Sequence, residues 1–377
     1  MKNTGLSEQE VLDILSKYKV QDVSYDRVLS AMCTIPHPIA VEAHAMFLEA
    51  NLGDAGLFLG TQALEHEVIS MMGGMLGDPS VHGYVTTGGT ESNIQAIRAA
   101  RNSGISTTPN IIVPQSAHFS FDKIADILRI EVRKARVDEQ FKVDLGAVDS
   151  LIDNNTVGLI GIAGTTEFGQ IDPIRELSDM AVERGLFLHV DAAFGAFVIP
   201  FLDKKYDFDF KLPGVSSITA DPHKMGLCTI PAGGLLFRDP SHLHKLQTET
   251  PYLTLDTQYS LSGTRTGAAA AATFAVMKYL GWDGYSQVVD SCMKLTNNLV
   301  KRASEFGADS LIDPVMNVAV LDVGDVKRVR KELSVKGWST SITRDPMALR
   351  LVIMPHLNEV VMEKFLQDLE QVCRTIT

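Results

Sequence analysis

The sequence predicts a doubly wound α/β fold: a mainly parallel, seven-stranded sheet followed by a small α+β unit. Two observations carry that reading. Short apolar runs at residues 82–87, 110–113, 128–133, 157–163, 186–191, 215–220 and 233–237 mostly alternate with helical segments such as 91–101 and 174–184. That is the pattern of parallel strands joined by crossover helices. The last two runs are joined only by residues 221–232, too few for a crossover helix, so the seventh strand is expected to run antiparallel.

Residues 1–20 read as a polar amphipathic helix with no continuous apolar core, unlike a secretory signal. From there to about residue 60, helical patterns alternate with turn signals such as Cys33-Thr34-Ile35-Pro36-His37-Pro38 and Asn51-Leu52-Gly53-Asp54-Ala55-Gly56. No strand ladder is expected in this arm, which is read as wrapping a partner subunit. A helix over 61–75 follows, with Thr61 as its N-cap. Beyond the sheet, a long helix runs from Thr264 to about Leu280, Gly281-Trp282-Asp283-Gly284 breaks it, and a second covers 285–305. The remaining pattern is strand 315–322, helix 325–335, strands 338–342 and 348–354, and helix 357–373. The chain thus divides into an arm (1–60), a large domain (61–280) and a small domain (281–377), since one core rarely grows to 377 residues.

Charge narrows the partners. With 34 basic and 46 acidic residues, a net of -12, the surface repels polyanions and anionic membranes, so neither nucleic acid nor a membrane is an expected partner. The longest apolar stretch, 267–277, is too short to span a bilayer. Cys33, Cys228, Cys292 and Cys373 stand at no metal-ligand or redox spacing, which suits free thiols in the cytoplasm and no metal site. His242 and His244 form the only close histidine pair and are read as surface residues.

In open α/β sheets ligands bind at the carboxyl ends of the strands. The first strand ends in Thr87-Gly88-Gly89-Thr90-Glu91-Ser92-Asn93 and runs into a helix, which suits either a phosphate on free amides or a plain turn capped by Thr90. After the second strand, His118 can stack on a flat ring, carry a proton, or be an ordinary loop residue. Gly164-Thr165-Thr166 offers hydroxyls to a phenolic oxygen or to its own turn. Leu186-Phe187-Leu188-His189-Val190-Asp191-Ala192-Ala193 ends a very apolar strand in a carboxylate, which costs several kcal/mol unless a cation meets it. A protonated pyridine nitrogen or one of the chain's own arginines would serve. Asp221-Pro222-His223-Lys224 follows the next strand and places an amine on the same edge, where partial desolvation favours condensation with an aldehyde. Together these are the parts of a pyridoxal phosphate site. Arg350, inside the apolar run 348–354, needs an anion: a substrate carboxylate or an internal salt bridge.

The blocks NLGDAGLFLGT, TTGGTESN, VPQSAHFSFDK, GIAGTTEFG, HVDAAFGAFVIPFLD, DPHKMG, IPAGGLLF, PYLT, SGTRTG and LRLVIMPH resemble those of the group II pyridoxal phosphate decarboxylases, nearest their archaeal L-tyrosine/L-aspartate branch. The resemblance implies the type I fold of the aspartate aminotransferases and a homodimer with active sites at the subunit interface. It implies that Lys224 holds the cofactor aldehyde, with His223 near the phosphate, Asp191 at the pyridine nitrogen, and Ala193 and His118 on the two ring faces. Gly89, Thr90 and Ser217 would bind phosphate, although Thr219 shares the strand face of Ser217, and Thr166 would approach the ring oxygen. Arg350 would take the substrate α-carboxylate, and Tyr252, on a mobile loop crossing the dimer interface, would protonate Cα; otherwise Tyr252 is a surface aromatic. The implied products are tyramine for methanofuran and β-alanine for coenzyme A. Another lyase or aminotransferase on this scaffold, or a noncatalytic relative, is the alternative.

Overall fold

A computed structural model of the chain describes residues 4–376, so the first three residues of the expected N-terminal helix lie outside the described residues. Strands β1 (His82–Thr86), β2 (Asn110–Pro114), β3 (Glu131–Ala135), β4 (Thr156–Ile162), β5 (Phe187–Asp191), β6 (Val215–Ala220) and β7 (Gly233–Phe237) form one sheet in the order β1-β7-β6-β5-β4-β2-β3. Only β7 runs antiparallel to its neighbours, as its short connection from β6 requires. Strands β2, β5 and β7 are buried along their whole length, because helices cover both faces of the sheet.

Three boundaries differ from the sequence reading, each for a local reason. The third strand begins at Glu131 rather than 128, because Leu128 still closes the helix Ser120–Leu128 and Arg129 turns the chain in a left-handed conformation, φ 51°. Thr61 is no N-cap; the helix Leu59–Met75 starts two residues earlier and buries Thr61 in its first turn. The helices expected on either side of Gly281 are one kinked element, Gly267–Ser304, whose Gly281 has φ 57° and ψ -166°. That conformation is open almost only to glycine.

A two-strand hairpin, β8 (Thr248–Glu249) and β9 (Thr257–Gln258), precedes that helix. After it, β10 (Asp309–Ser310), β11 (Val318–Asp322), β12 (Ser341–Ile342) and β13 (Leu349–Val352) make an antiparallel sheet ordered β10-β11-β13-β12. Its core, including Leu321, Leu333, Leu351 and Phe365, is separate from that of the large sheet.

The arm does not lack strand pairing, as the sequence suggested. Val28 bridges Ser339, the Leu29 amide donates to the Ser339 carbonyl at 2.8 Å, and the Val352 amide donates to the Leu29 carbonyl at 2.8 Å. Leu29 is fully buried in the small core, and the Arg27 guanidinium lies 4.4 Å from the Trp338 ring centroid. Alternation was too short here to be seen in sequence. The helix Glu8–Lys19 behaves differently: it buries none of its residues and exposes Val11, Leu12, Leu15 and Tyr18. His242 is not a surface residue. It is half-buried with its ring edge-on to Phe187 at 4.9 Å, and burial lowers its basicity. Among the described residues no helix is long and apolar enough to cross a membrane.

Candidate active site

The carboxyl ends of β1, β2, β4, β5 and β6 surround a cavity of about 290 Å³. Its lining includes Gly89, Thr90, His118, Thr166, Asp191, Ala193, His223 and Lys224. Eight sequence-predicted residues therefore meet in one place.

At the end of β1 the chain turns sharply into the helix Gly89–Ser103. Gly88 makes this turn with φ 141°, and a Cβ there would stand 3.0 Å from the His223 ring. A Cβ on Gly89 would meet Asp221 Oδ2 at 3.1 Å and Ala193 Cβ at 3.2 Å. A side chain here would crowd these neighbours, and with the Gly89 amide given to Asp221, the amides of the helix's first turn beyond it are the donors an anion would use. Thr90 sits in the first helical turn rather than capping it.

From β6 the chain enters a tight turn in which the Lys224 amide donates to the Asp221 carbonyl at 3.0 Å. This brings Lys224 Nζ to 3.3 Å from Asp221 Oδ2, with the lysine side chain 21% exposed and the aspartate 2%. Gly89 N donates to the same oxygen at 3.0 Å, while Asp221 Oδ1 is buried without a partner. His223 Nδ1 donates to the Ala232 carbonyl, which fixes its ring. Sequence reasoning gave Asp221 no role; a second acidic residue three positions before the lysine was the available signal.

Asp191 ends β5 and is buried. Its Oδ2 accepts from Asn93 Nδ2 at 2.8 Å and its Oδ1 from the Ala193 amide at 3.1 Å. Among the described residues it has no ion-pair partner, so the alternative of an arginine is not realised. A buried carboxylate satisfied only by neutral donors, on the wall of a polar cavity, is built to receive a cation. His118 is half-buried; burial lowers its imidazole below the usual range, and its Nδ1 accepts from the Ser120 amide at 3.2 Å.

Three predicted residues lie outside the cavity lining. Ser217 is not available to a phosphate: its fully buried hydroxyl lies 2.7 Å from His189 Nδ1. Thr219, on the same strand face, donates to Asn93 Oδ1 at 2.8 Å and is equally withdrawn. Both belong to a layer behind Asp191 that strand alternation could not assign. Tyr252 stands in the β8–β9 hairpin loop, 84% exposed. Arg350, at the centre of β13, has no carboxylate partner among the described residues. Its Nε donates to the Thr166 carbonyl at 2.5 Å, and its Nη1 to the Ser30 carbonyl and to Ser341 Oγ, each at 3.0 Å. Nη2 donates to no protein acceptor and is not among the buried unpaired atoms. Burial brings its pKa down to about 10, which leaves it charged at neutral pH. Met32, from the arm, also lines the cavity; nothing in the sequence marked it.

An amine, a buried unpaired carboxylate, a small Ala193 and an amide cradle match the aldehyde, pyridine nitrogen, ring face and phosphate of pyridoxal phosphate. Comparison with known proteins decides the family. Residues 60–320 match the pyridoxal-dependent decarboxylase conserved domain. The chain belongs to that family. It is a pyridoxal phosphate-dependent decarboxylase, a carboxy-lyase, and its cofactor is pyridoxal phosphate.

Similar decarboxylases include a probable L-tyrosine/L-aspartate decarboxylase of Methanothrix thermoacetophila, 58% identical over 98% of this chain and 96% of its own. A probable L-aspartate decarboxylase of Archaeoglobus fulgidus is 52% identical over 97% of this chain and all of its own. The fold is that of a Lactobacillus brevis glutamate decarboxylase, TM-score 0.91 at 21% identity, covering 99% of this chain and 94% of the other. A Burkholderia pseudomallei sphingosine-1-phosphate lyase superposes with TM-score 0.90 at 27% identity, covering 99% and 92%.

Proposed function

We propose that this decarboxylase acts on an L-amino acid, converting L-tyrosine to tyramine, L-aspartate to β-alanine, or both. The observation that carries the reading is the pairing of two groups across one cavity: Lys224 Nζ, and a buried Asp191 that meets no cation of the protein. The names of the similar archaeal enzymes support the two substrates. In a methanogen, tyramine and β-alanine would feed methanofuran and coenzyme A.

Pyridoxal phosphate supplies an aldehyde that binds amines and a ring that accepts an electron pair. Lys224 Nζ is the amine that would hold the cofactor's aldehyde end in the cavity. The Asp191 carboxylate holds a proton at the ring nitrogen, which keeps the ring electron-poor. His118 and Ala193 would flank the ring, Gly89, Thr90 and His223 would hold the phosphate, and Thr166 would meet the phenolic oxygen. Arg350 Nη2, the free corner of an otherwise satisfied guanidinium, orients the substrate carboxylate. Tyr252 would supply the proton that takes the place on Cα of the carboxylate lost as carbon dioxide.

An exposed Tyr252 reaches a cavity most directly from a second copy of the chain. The unburied apolar residues of the helix Glu8–Lys19 support a homodimer. We take Gly281 as the boundary between the large and small domains.

The test is a competition among L-tyrosine, L-aspartate and L-glutamate, with carbon dioxide, amine and keto acid all quantified. Amine and carbon dioxide in equal amounts are expected; keto acid as the main product would overturn the reading. Lys224→Ala should lose turnover and the cofactor adduct that borohydride locks onto the chain, and full activity in that variant would sink it.

A further inference from the structure

Beside Asp191 lies a layer of buried polar side chains, of which Asn93 also touches the cavity wall. Asn93 is its centre and is 1% exposed. Its Nδ2 donates to Asp191 Oδ2 at 2.8 Å and to Ser120 Oγ at 3.1 Å. Its Oδ1 accepts from Thr219 Oγ1 at 2.8 Å and faces His189 Nε2 at 3.0 Å. With Oδ1 as acceptor, His189 carries its proton on Nε2, and its Nδ1 accepts from Ser217 Oγ at 2.7 Å. Ser120, Ser217, Thr219 and His189 are all fully buried. Burial lowers the His189 pKa to about 4, so the ring is neutral and adds no charge beside Asp191.

The Asn93 amide hydrogens, the Thr219 hydroxyl and the His189 Nε2 proton thus each have an acceptor, and the order of the bonds fixes which end of the Asn93 amide faces Asp191. A reversed amide would place an oxygen against the carboxylate and an NH₂ group against the Nε2 proton of His189. Through Ser120 the same amide also reaches the segment that carries His118, whose Nδ1 accepts from the Ser120 amide.

We propose that Asn93 is a positioning residue: oriented by His189 and Thr219, it holds the Asp191 carboxylate charged and aimed at the cofactor's ring nitrogen, and steadies the His118 segment through Ser120. The proposal rests on the pyridoxal phosphate site described above. Among the described residues Asp191 has two donors, and removing Asn93 leaves the Ala193 amide alone to hold a buried carboxylate.

The test compares apoenzyme affinity for pyridoxal phosphate and for its 1-deaza analogue, in which CH replaces the ring nitrogen. In wild type, pyridoxal phosphate should bind the more tightly; if it does not bind at all, the site assignment itself fails. In Asn93→Leu, affinity for pyridoxal phosphate should fall about 10- to 100-fold, the range for a hydrogen bond to a charged group. Affinity for the analogue should change less than about threefold. Asn93→Ala, which only removes atoms, is read alongside in case leucine prevents folding. Thr219→Val should follow in the same direction with a smaller change. Equal losses for both ligands would reduce Asn93 to scaffold, and no loss for either would remove it from the site; each result overturns the proposal.

Discussion

Replacing Glu65 by leucine perturbs a buried ion pair that is hydrogen-bonded to β1. Glu65 and Arg265 side chains are 2% and 7% exposed, with Arg265 Nη1 at 2.5 Å from Glu65 Oε1 and Nη2 at 3.1 Å from Oε2. Glu65 Oε1 also accepts from the Val85 amide at 2.9 Å, and Arg265 donates to the carbonyls of Val85 and Leu52 at 3.2 Å each. Val85 lies in β1, just before the turn into the cradle. Glu65→Leu strands a buried guanidinium, about 3–5 kcal/mol, and leaves the Val85 amide without its acceptor, about 1–3 kcal/mol. Together that is comparable to the whole stability of many domains. The charge penalty disappears when both partners go, so Glu65→Leu with Arg265→Met should be less destabilised than Glu65→Leu alone. Urea unfolding of the wild type, both single variants and the double variant measures this coupling. If the double variant loses the sum of the two single losses, the pair is not an isolated buried unit and the reasoning fails.

Other outcomes follow from single residues. Tyr252→Phe should slow product formation at least tenfold with the cofactor still bound; loss of cofactor instead would make Tyr252 a binding residue. Gly281→Ala should cost about 1–3 kcal/mol, because φ 57° with ψ -166° excludes a Cβ even though nothing stands within 4 Å of one; an unchanged thermal midpoint would refute the kink. Asp172 is buried, which raises its carboxyl from 3.8 to about 7, although the amides of Val143 and Ile162 both donate to it. A raised folded-state pKa contributes stability that is complete below pH about 4 and lost as pH rises through about 7, by a few kcal/mol. The stability difference between wild type and Asp172→Asn should therefore shrink from pH 5 to pH 8, as urea midpoints at the two pH values will read; a constant difference would contradict it.

What the sequence revealed, and what it hid, divides along a physical line. Strands such as β2, β4 and β5 were legible because buried parallel strands are continuous apolar runs, the start of the charged edge strand β3 was not, and the antiparallel β7 was legible because a twelve-residue link cannot hold a crossover helix. Lys224, Asp191, Gly89 and His118 were legible because polar residues at the ends of such runs have few structural reasons to be there. Asn93 and His189 stayed hidden since they lie inside a helix and a strand, where a polar residue is read as part of the element's pattern. Ser217 was misplaced for a related reason: alternation gives the face of the sheet, but not whether a hydroxyl on that face meets the cavity or another side chain. Arg350 was marked as needing an anion, yet among the described residues it meets none. The partners it found were mostly main-chain carbonyls, and carbonyls leave no trace in sequence.

The docking of residues 27–30 onto the small sheet sets a condition on synthesis. Ser30 and Arg350, hydrogen-bonded in the finished protein, are 320 residues apart. The arm leaves the ribosome long before the strands it joins, so the large sheet can form while the arm still waits. Met32 reaches the cavity only through that arm, and Arg350 reaches Thr166 only from β13. A nascent chain stalled before β13 holds all six parallel strands and Lys224 and still lacks Arg350, the residue proposed above to meet the substrate carboxylate. Activity in this enzyme is therefore a report that the two ends of the chain have met.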